Sequence, residues 1–145
     1  MLKRVSLGFV FLLLSVAIAH AEMVSVARAK VNMRSGPGTS YAILWELGYG
    51  YPLKVIGKKG NWVKVSDFEG DSGWISRNLV SHKAHLIVKK ERVNIRSGPG
   101  KKYRIVGQAN YGVVLRTLKR GKNWVKVKHE NGLTGWVKRG LLWGW

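Results

Sequence analysis

Beyond residue 21, apolar and polar positions interchange in short runs, each broken by glycine, asparagine, aspartate or proline. YPLKVIGKKG (residues 51–60), NWVKVSDFEGDSGWI (61–75) and VVLRTLKRGKNWVKV (113–127) are examples. In NWVKV the pattern is resolved residue by residue. Successive side chains on a strand point to opposite faces, so Val63 and Val65 share one face and Trp62 and Lys64 the other. The valine pair predicts the core side. The same five residues recur at 123–127, which places Trp124 with Lys126 and Lys128 on the outer face. Signals for helices are almost absent. GKKGNW and RGKNW read as tight hairpin turns, and FEGDSGW and ENGLTGW as another, with Asn131-Gly132 a favoured hairpin pair. Short strands with frequent turns predict an all-β protein built as a small barrel or sandwich.

One stretch breaks this pattern. Lys3 and Arg4 precede a continuous apolar run over residues 5–18, followed by Ala19-His20-Ala21. A positive start, an apolar middle and small residues at a cleavage site are the pattern of a secretory signal peptide over residues 1–21. The run falls short of the roughly 20 residues that a spanning helix needs. No later run is apolar enough to span a bilayer. The expectation is an exported protein of the periplasm or extracellular cell envelope. It contains no cysteine, so packing alone must hold it together.

The remainder is a repeat. Adding 62 to a residue number in the first half finds its partner in the second without a gap. VNMRSGPGTSY at Val31 becomes VNIRSGPGKKY at Val93. Tyr49-Gly50 pairs with Tyr111-Gly112, and Gly73-Trp74 with Gly135-Trp136. The predicted organisation is a first domain over residues 22–80, a linker at 81–85 (SHKAH) and a second domain over 86–145. Each unit has about 60 residues, a size that still folds alone. The short linker makes the two units close neighbours. In SGPG, proline followed by glycine at central positions predicts a type II turn. GPGKK lacks the spacing of a phosphate-binding loop and no helix follows it.

The ordered motifs N-[MI]-R-S-G-P-G-x-x-Y, GYG or NYG, NWVKV and GWI or GWV occur twice, and they resemble the bacterial SH3 domain family, SH3b. The resemblance covers both units. It implies two compact five-to-six-stranded SH3-like β-barrels in tandem. It also implies a non-catalytic module that binds peptidoglycan or its peptide stems, or that docks another envelope protein. The acidic, tyrosine-rich first loop of eukaryotic SH3 domains is missing, which argues against proline-rich ligands.

Candidate binding residues follow from strand faces and loops. Trp62 with Tyr49, and Trp124 with Tyr111, are read as lining one groove in each unit. An aromatic ring beside cations on a strand surface suits a sugar or flat polar ligand. The alternative for the tryptophans is that a loop covers them and closes the barrel. Arg34 and Arg96 either join the grooves or pair with a nearby acid or carbonyl. Asn32 and Asn94 are read as turn caps, Tyr41 and Tyr103 as packing on the Gly-Pro-Gly turn, and Trp74 and Trp136 as packing residues.

Charge separates the units. The chain carries a formal net charge of +19. Residues 22–82 hold eight Lys/Arg against five Asp/Glu, whereas residues 83–145 hold sixteen against two. Lys101, Lys102 and Arg104 stand where the first unit has Thr39, Ser40 and Ala42. With Lys126 and Lys128 they form a candidate polyanion-binding surface, which an anionic envelope polymer or membrane surface would match. Nucleic acid meets the same requirement of phosphate contacts and stacking, but export argues against it. A face that serves only solubility is the plainer alternative. The tail LLWGW reads either as a cover for the barrel end or as an apolar contact. Catalysis has little support. The histidines form no metal-ligand set, and there is no cysteine nucleophile and no serine elbow. Asp67, Glu69 and Asp71 read as a solvated turn. No cofactor and no metal are expected.

Overall fold

A computed structural model describes residues 8–13 and 21–145. The expected signal peptide falls largely on residues 1–7 and 14–20, outside the described part. Among the described residues no helix is long and apolar enough to cross a membrane.

The fold is all-β, in two tandem units. The first contains β1 (Met23–Val26), β2 (Val31–Arg34), β3 (Ile43–Leu47), β4 (Pro52–Lys59), β5 (Trp62–Ser66), β6 (Ser72–Ser76) and β7 (Val80–Ser81). The second contains β8 (His85–Val88), β9 (Arg92–Arg96), β10 (Ile105–Asn110), β11 (Val114–Arg120), β12 (Trp124–Lys128), β13 (Thr134–Lys138) and β14 (Leu142–Gly144). One 3₁₀ turn precedes the last strand of each unit, at Arg77–Leu79 and Arg139–Leu141.

Each unit is one seven-stranded antiparallel sheet. The strand orders are β3-β2-β6-β5-β4-β1-β7 and β10-β9-β13-β12-β11-β8-β14. β1 and β2 stand near opposite ends of their sheet, yet Val26 of β1 and Met33 of β2 belong to one core cluster. The sheet is therefore rolled over on itself around a single core. Seven short strands take the place of the expected five or six. Val63 and Val65 are buried while Trp62 and Lys64 are half-buried on the outer face, as the alternation requires.

The roll brings β6 close to β2, and this explains the Gly-Trp pair. A Cβ on Gly73 would lie 2.6 Å from Met33 Cγ and 2.9 Å from the Arg34 carbonyl oxygen. Gly135 is pressed in the same way, with the Arg96 carbonyl oxygen 2.7 Å from the same position. Glycine takes the inward place because no side chain fits. Trp74 and Trp136 consequently stand on the outer face, half-buried, opposite Arg34 and Arg96 respectively.

Three local readings change. SGPG is not a type II turn, since neither Gly38 nor Gly100 has positive φ. Instead the Gly38 N–H donates to the Gly36 carbonyl at 2.9 Å, a three-residue turn centred on Pro37,. The glycines are required by the tyrosine that packs there: a Cβ on Gly36 would lie 2.6 Å from Tyr41 Cγ, and one on Gly98 2.6 Å from Tyr103 Cγ. Second, the asparagines lie within strands and face a cross-strand neighbour. Asn94 Oδ1 accepts from Gln108 Nε2 at 2.9 Å, and Asn32 stands opposite Glu46. Third, the tail is the closing strand of the second sheet: Leu142 is buried and β14 pairs with β8.

Candidate functional site

Two concavities hold four of the candidate residues, Trp62 and Arg34 in one and Tyr49 and Lys128 in the other. The first is a groove of about 410 Å³ on the outer surface of the first unit. Trp62 lines it from β5, Asn32 and Arg34 from β2, Thr39 from the Gly-Pro-Gly loop, and Asn78 from the 3₁₀ turn. The Arg34 guanidinium donates to the carbonyls of Thr39 and Tyr41, at 3.0 and 3.1 Å. Arg96 repeats this on Lys101 and Tyr103, at 3.2 and 3.0 Å. One nitrogen of each guanidinium thus pins the loop that forms the groove wall. The carbonyl partner considered from the sequence is the observed one.

Tyr49 is absent from this groove, so the structure separates Trp62 from the tyrosine with which it was grouped. By the repeat, the counterpart groove in the second unit would be built by Trp124, Arg96, Asn94, Lys101 and Lys138. Lys101 replaces Thr39 and Lys138 replaces Ser76, so part of the charge divergence falls where the groove residues stand. Lys102 and Arg104 are exposed beside them, with the Lys102 ammonium 5.4 Å from the Tyr103 ring centre. Lys126 stands opposite Trp136, and Lys128 opposite both Thr134 and Arg116.

The second concavity is a cleft of about 740 Å³ between the two units. Tyr49 belongs here. Its ring meets His85 edge-on, with centroids 5.6 Å apart. Tyr111 crosses the same junction from the other side and packs on Phe68 at 5.4 Å. Phe68 in turn touches Tyr51, whose hydroxyl donates to Asp67 Oδ2 at 2.9 Å. Burial and this carboxylate push the Tyr51 phenol well above the ordinary tyrosine range. Tyr49 and Tyr111 therefore both pack across the junction between the units.

His85 was assigned to the linker, but it is the first residue of β8 and only 4% exposed. The Lys83 carbonyl lies 2.8 Å from its Nδ1. Burial, with Lys83 and Arg116 nearby, lowers its pKa, although the Lys83 carbonyl acts in the opposite direction. The signal that could have found it is the apolar run LIV directly after it, which marks a strand start and not a tether. Asp67 is engaged internally, its Oδ1 accepting from the N–H groups of Glu69 and Asp71 at 3.0 and 2.9 Å. Among the described residues no cluster of His, Asp or Glu is arranged to hold a metal ion.

The bacterial SH3 domain profile matches residues 27–82 and again 89–144. The chain belongs to the bacterial SH3 domain family. YrvJ of Bacillus subtilis (strain 168), which carries the name of an inferred N-acetylmuramoyl-L-alanine amidase, is 28% identical over 134 residues, 85% of this chain and 26% of YrvJ. The uncharacterized protein YgiM of Escherichia coli (strain K12) is 36% identical over 67 residues, 43% of this chain and 32% of YgiM. The chain thus corresponds to a third or less of the length of these relatives. Among solved structures, an NlpC/P60 family protein from Bacillus cereus ATCC 10987 is 14% identical, with TM-score 0.40, covering 86% of this chain and 56% of that one.

Proposed function

We propose that this protein is a non-catalytic binding module of the bacterial cell envelope, recognising peptidoglycan or its peptide stems through the outer groove of each SH3-like unit. The observation that carries the reading is the groove in which Trp62 lies beside Arg34, Thr39 and Asn78. An amphipathic ring flanked by fixed polar groups is suited to a saccharide or peptide backbone. Membership of the family and the name of the relative YrvJ support a wall ligand. Export to the periplasm or cell surface follows from the leader read in the sequence. Two weak grooves in one chain would gain by avidity. The test is co-sedimentation with purified sacculi of a Trp62→Ala, Trp124→Ala double variant, with its fold checked by circular dichroism. Loss of at least tenfold in bound fraction is expected. Undiminished binding overturns the groove assignment.

A second reading has its own observation. Lys101 and Lys138 occupy positions held by Thr39 and Ser76 in the first groove, and Lys126 and Lys128 extend the charge across β12. This surface suits an anionic envelope polymer. It predicts steep loss of binding with salt, and loss on charge reversal of Lys101, Lys102 and Arg104. Flat salt dependence excludes it.

A further inference from the structure

The cleft between the units carries polar groups that the junction leaves unused. Two hydrogen bonds fix the tautomers of its histidines. The Lys83 carbonyl can only accept, so the proton of neutral His85 sits on Nδ1, and Nε2 is an acceptor,. The Asn131 backbone N–H can only donate, so His129 Nδ1, at 3.0 Å, is unprotonated and its Nε2 bears the proton,. His85 Nε2 has no partner within the protein, yet no buried polar side-chain atom among the described residues lacks one. Nε2 therefore retains access to solvent, and the concavity His85 lines is this cleft.

The same cleft is lined by Arg116 and Lys128, which are directly opposed across β11 and β12. Lys83 adds a third cation, and Glu130 is the one acid in the lining. Tyr49, Val113 and Val114 supply apolar wall. An acceptor, an N–H donor, an excess of cations and an apolar wall form a specific complement. It matches a ligand with an amide N–H, small apolar side chains and an oxyanion.

We infer that the cleft between the two units is a binding site for a short peptide with a free terminal carboxylate, its amide N–H meeting His85 Nε2 and its carboxylate held by Arg116, Lys128 and the His129 Nε2–H. The volume of about 740 Å³ lies in the range of small-molecule sites,. This site is separate from the Trp62 groove, and it stands or falls independently of what that groove binds.

The test is a nuclear magnetic resonance titration reading the ring signals of His85 and His129. The probes are acetyl-trialanine, its C-terminal amide and inorganic phosphate. Acetyl-trialanine is expected to shift both rings saturably, the amide to bind at least tenfold more weakly, and phosphate to bind more weakly than the peptide. An Arg116→Glu, Lys128→Glu variant, with its fold checked by its amide spectrum, should lose the response. No saturable shift overturns the site. Equal binding of peptide and amide overturns the carboxylate assignment, and phosphate binding as tightly as the peptide overturns the peptide assignment.

Discussion

Gly50 of the first unit lies directly under the imidazole of His85 from the second. A Cβ on Gly50 would stand 2.7 Å from His85 Cδ2 and 3.2 Å from Val114 Cγ1. Its repeat partner Gly112 has nearly the same backbone angle, φ +81 against +80, but nothing within 4 Å. The same turn therefore carries two different demands in the two units.

That difference makes a controlled experiment. Alanine at either glycine meets the left-handed backbone cost of roughly 1–2 kcal/mol. Only Gly50→Ala also collides with the neighbouring unit, adding about 1–3 kcal/mol of overpacking. Urea unfolding should therefore rank Gly50→Ala as clearly the less stable variant, and small-angle scattering should report a larger radius of gyration for it. Equal losses would mean that the junction yields without cost.

His85 makes the junction sensitive to acid. Its folded pKa lies below the ordinary histidine value of 6.5, chiefly because of burial. The unfolded chain therefore takes up the proton first. The stabilising contribution is present above about pH 6.5 and declines as pH falls through the folded pKa. Thermal midpoints should fall between pH 7.5 and 5.5. His85→Asn retains a donor for the Lys83 carbonyl but cannot titrate, so the decline should be smaller. An identical pH profile in that variant would remove His85 as the cause.

Arg34 and Arg96 are expected to act through the loops they pin. Arg34→Ala should increase hydrogen exchange at the Ser35 and Tyr41 N–H groups, which bond within that loop to the carbonyls of Ala42 and Gly38. Both arginine bonds are exposed. The global loss should therefore be about 1 kcal/mol, below the range for buried charge-assisted bonds. Lysine should not restore protection, because it lacks the planar fork. Unchanged exchange in Arg34→Ala would show that the proline turn holds the loop unaided.

The sequence made the alternation of Trp62, Val63, Lys64 and Val65 readable, since a period of two is a local property of a strand. The repeat was readable because matched motifs recur 62 residues apart without a gap, and with it the tandem organisation. What escaped depends on contacts distant in the chain. Gly73 is required by the approach of β6 to β2, which nothing near residue 73 reveals. Gly38 suggested a positive φ, whereas Tyr41 packing and the pinning by Arg34 set that loop. Tyr49 and Tyr111 carry the pattern of exposed groove residues. Their packing on His85 and Phe68 exists only because two units meet.

The central claim is that aromatic grooves recognise the wall. Co-sedimentation of the wild-type protein with purified sacculi across a salt series tests it most directly. The account predicts binding that persists at high salt, where interactions between exposed charges are screened to about 3 Å at 1 M. Binding that vanishes with salt would contradict it and leave the charge of the second unit as the source of affinity. Absence of binding at any salt would contradict wall recognition altogether.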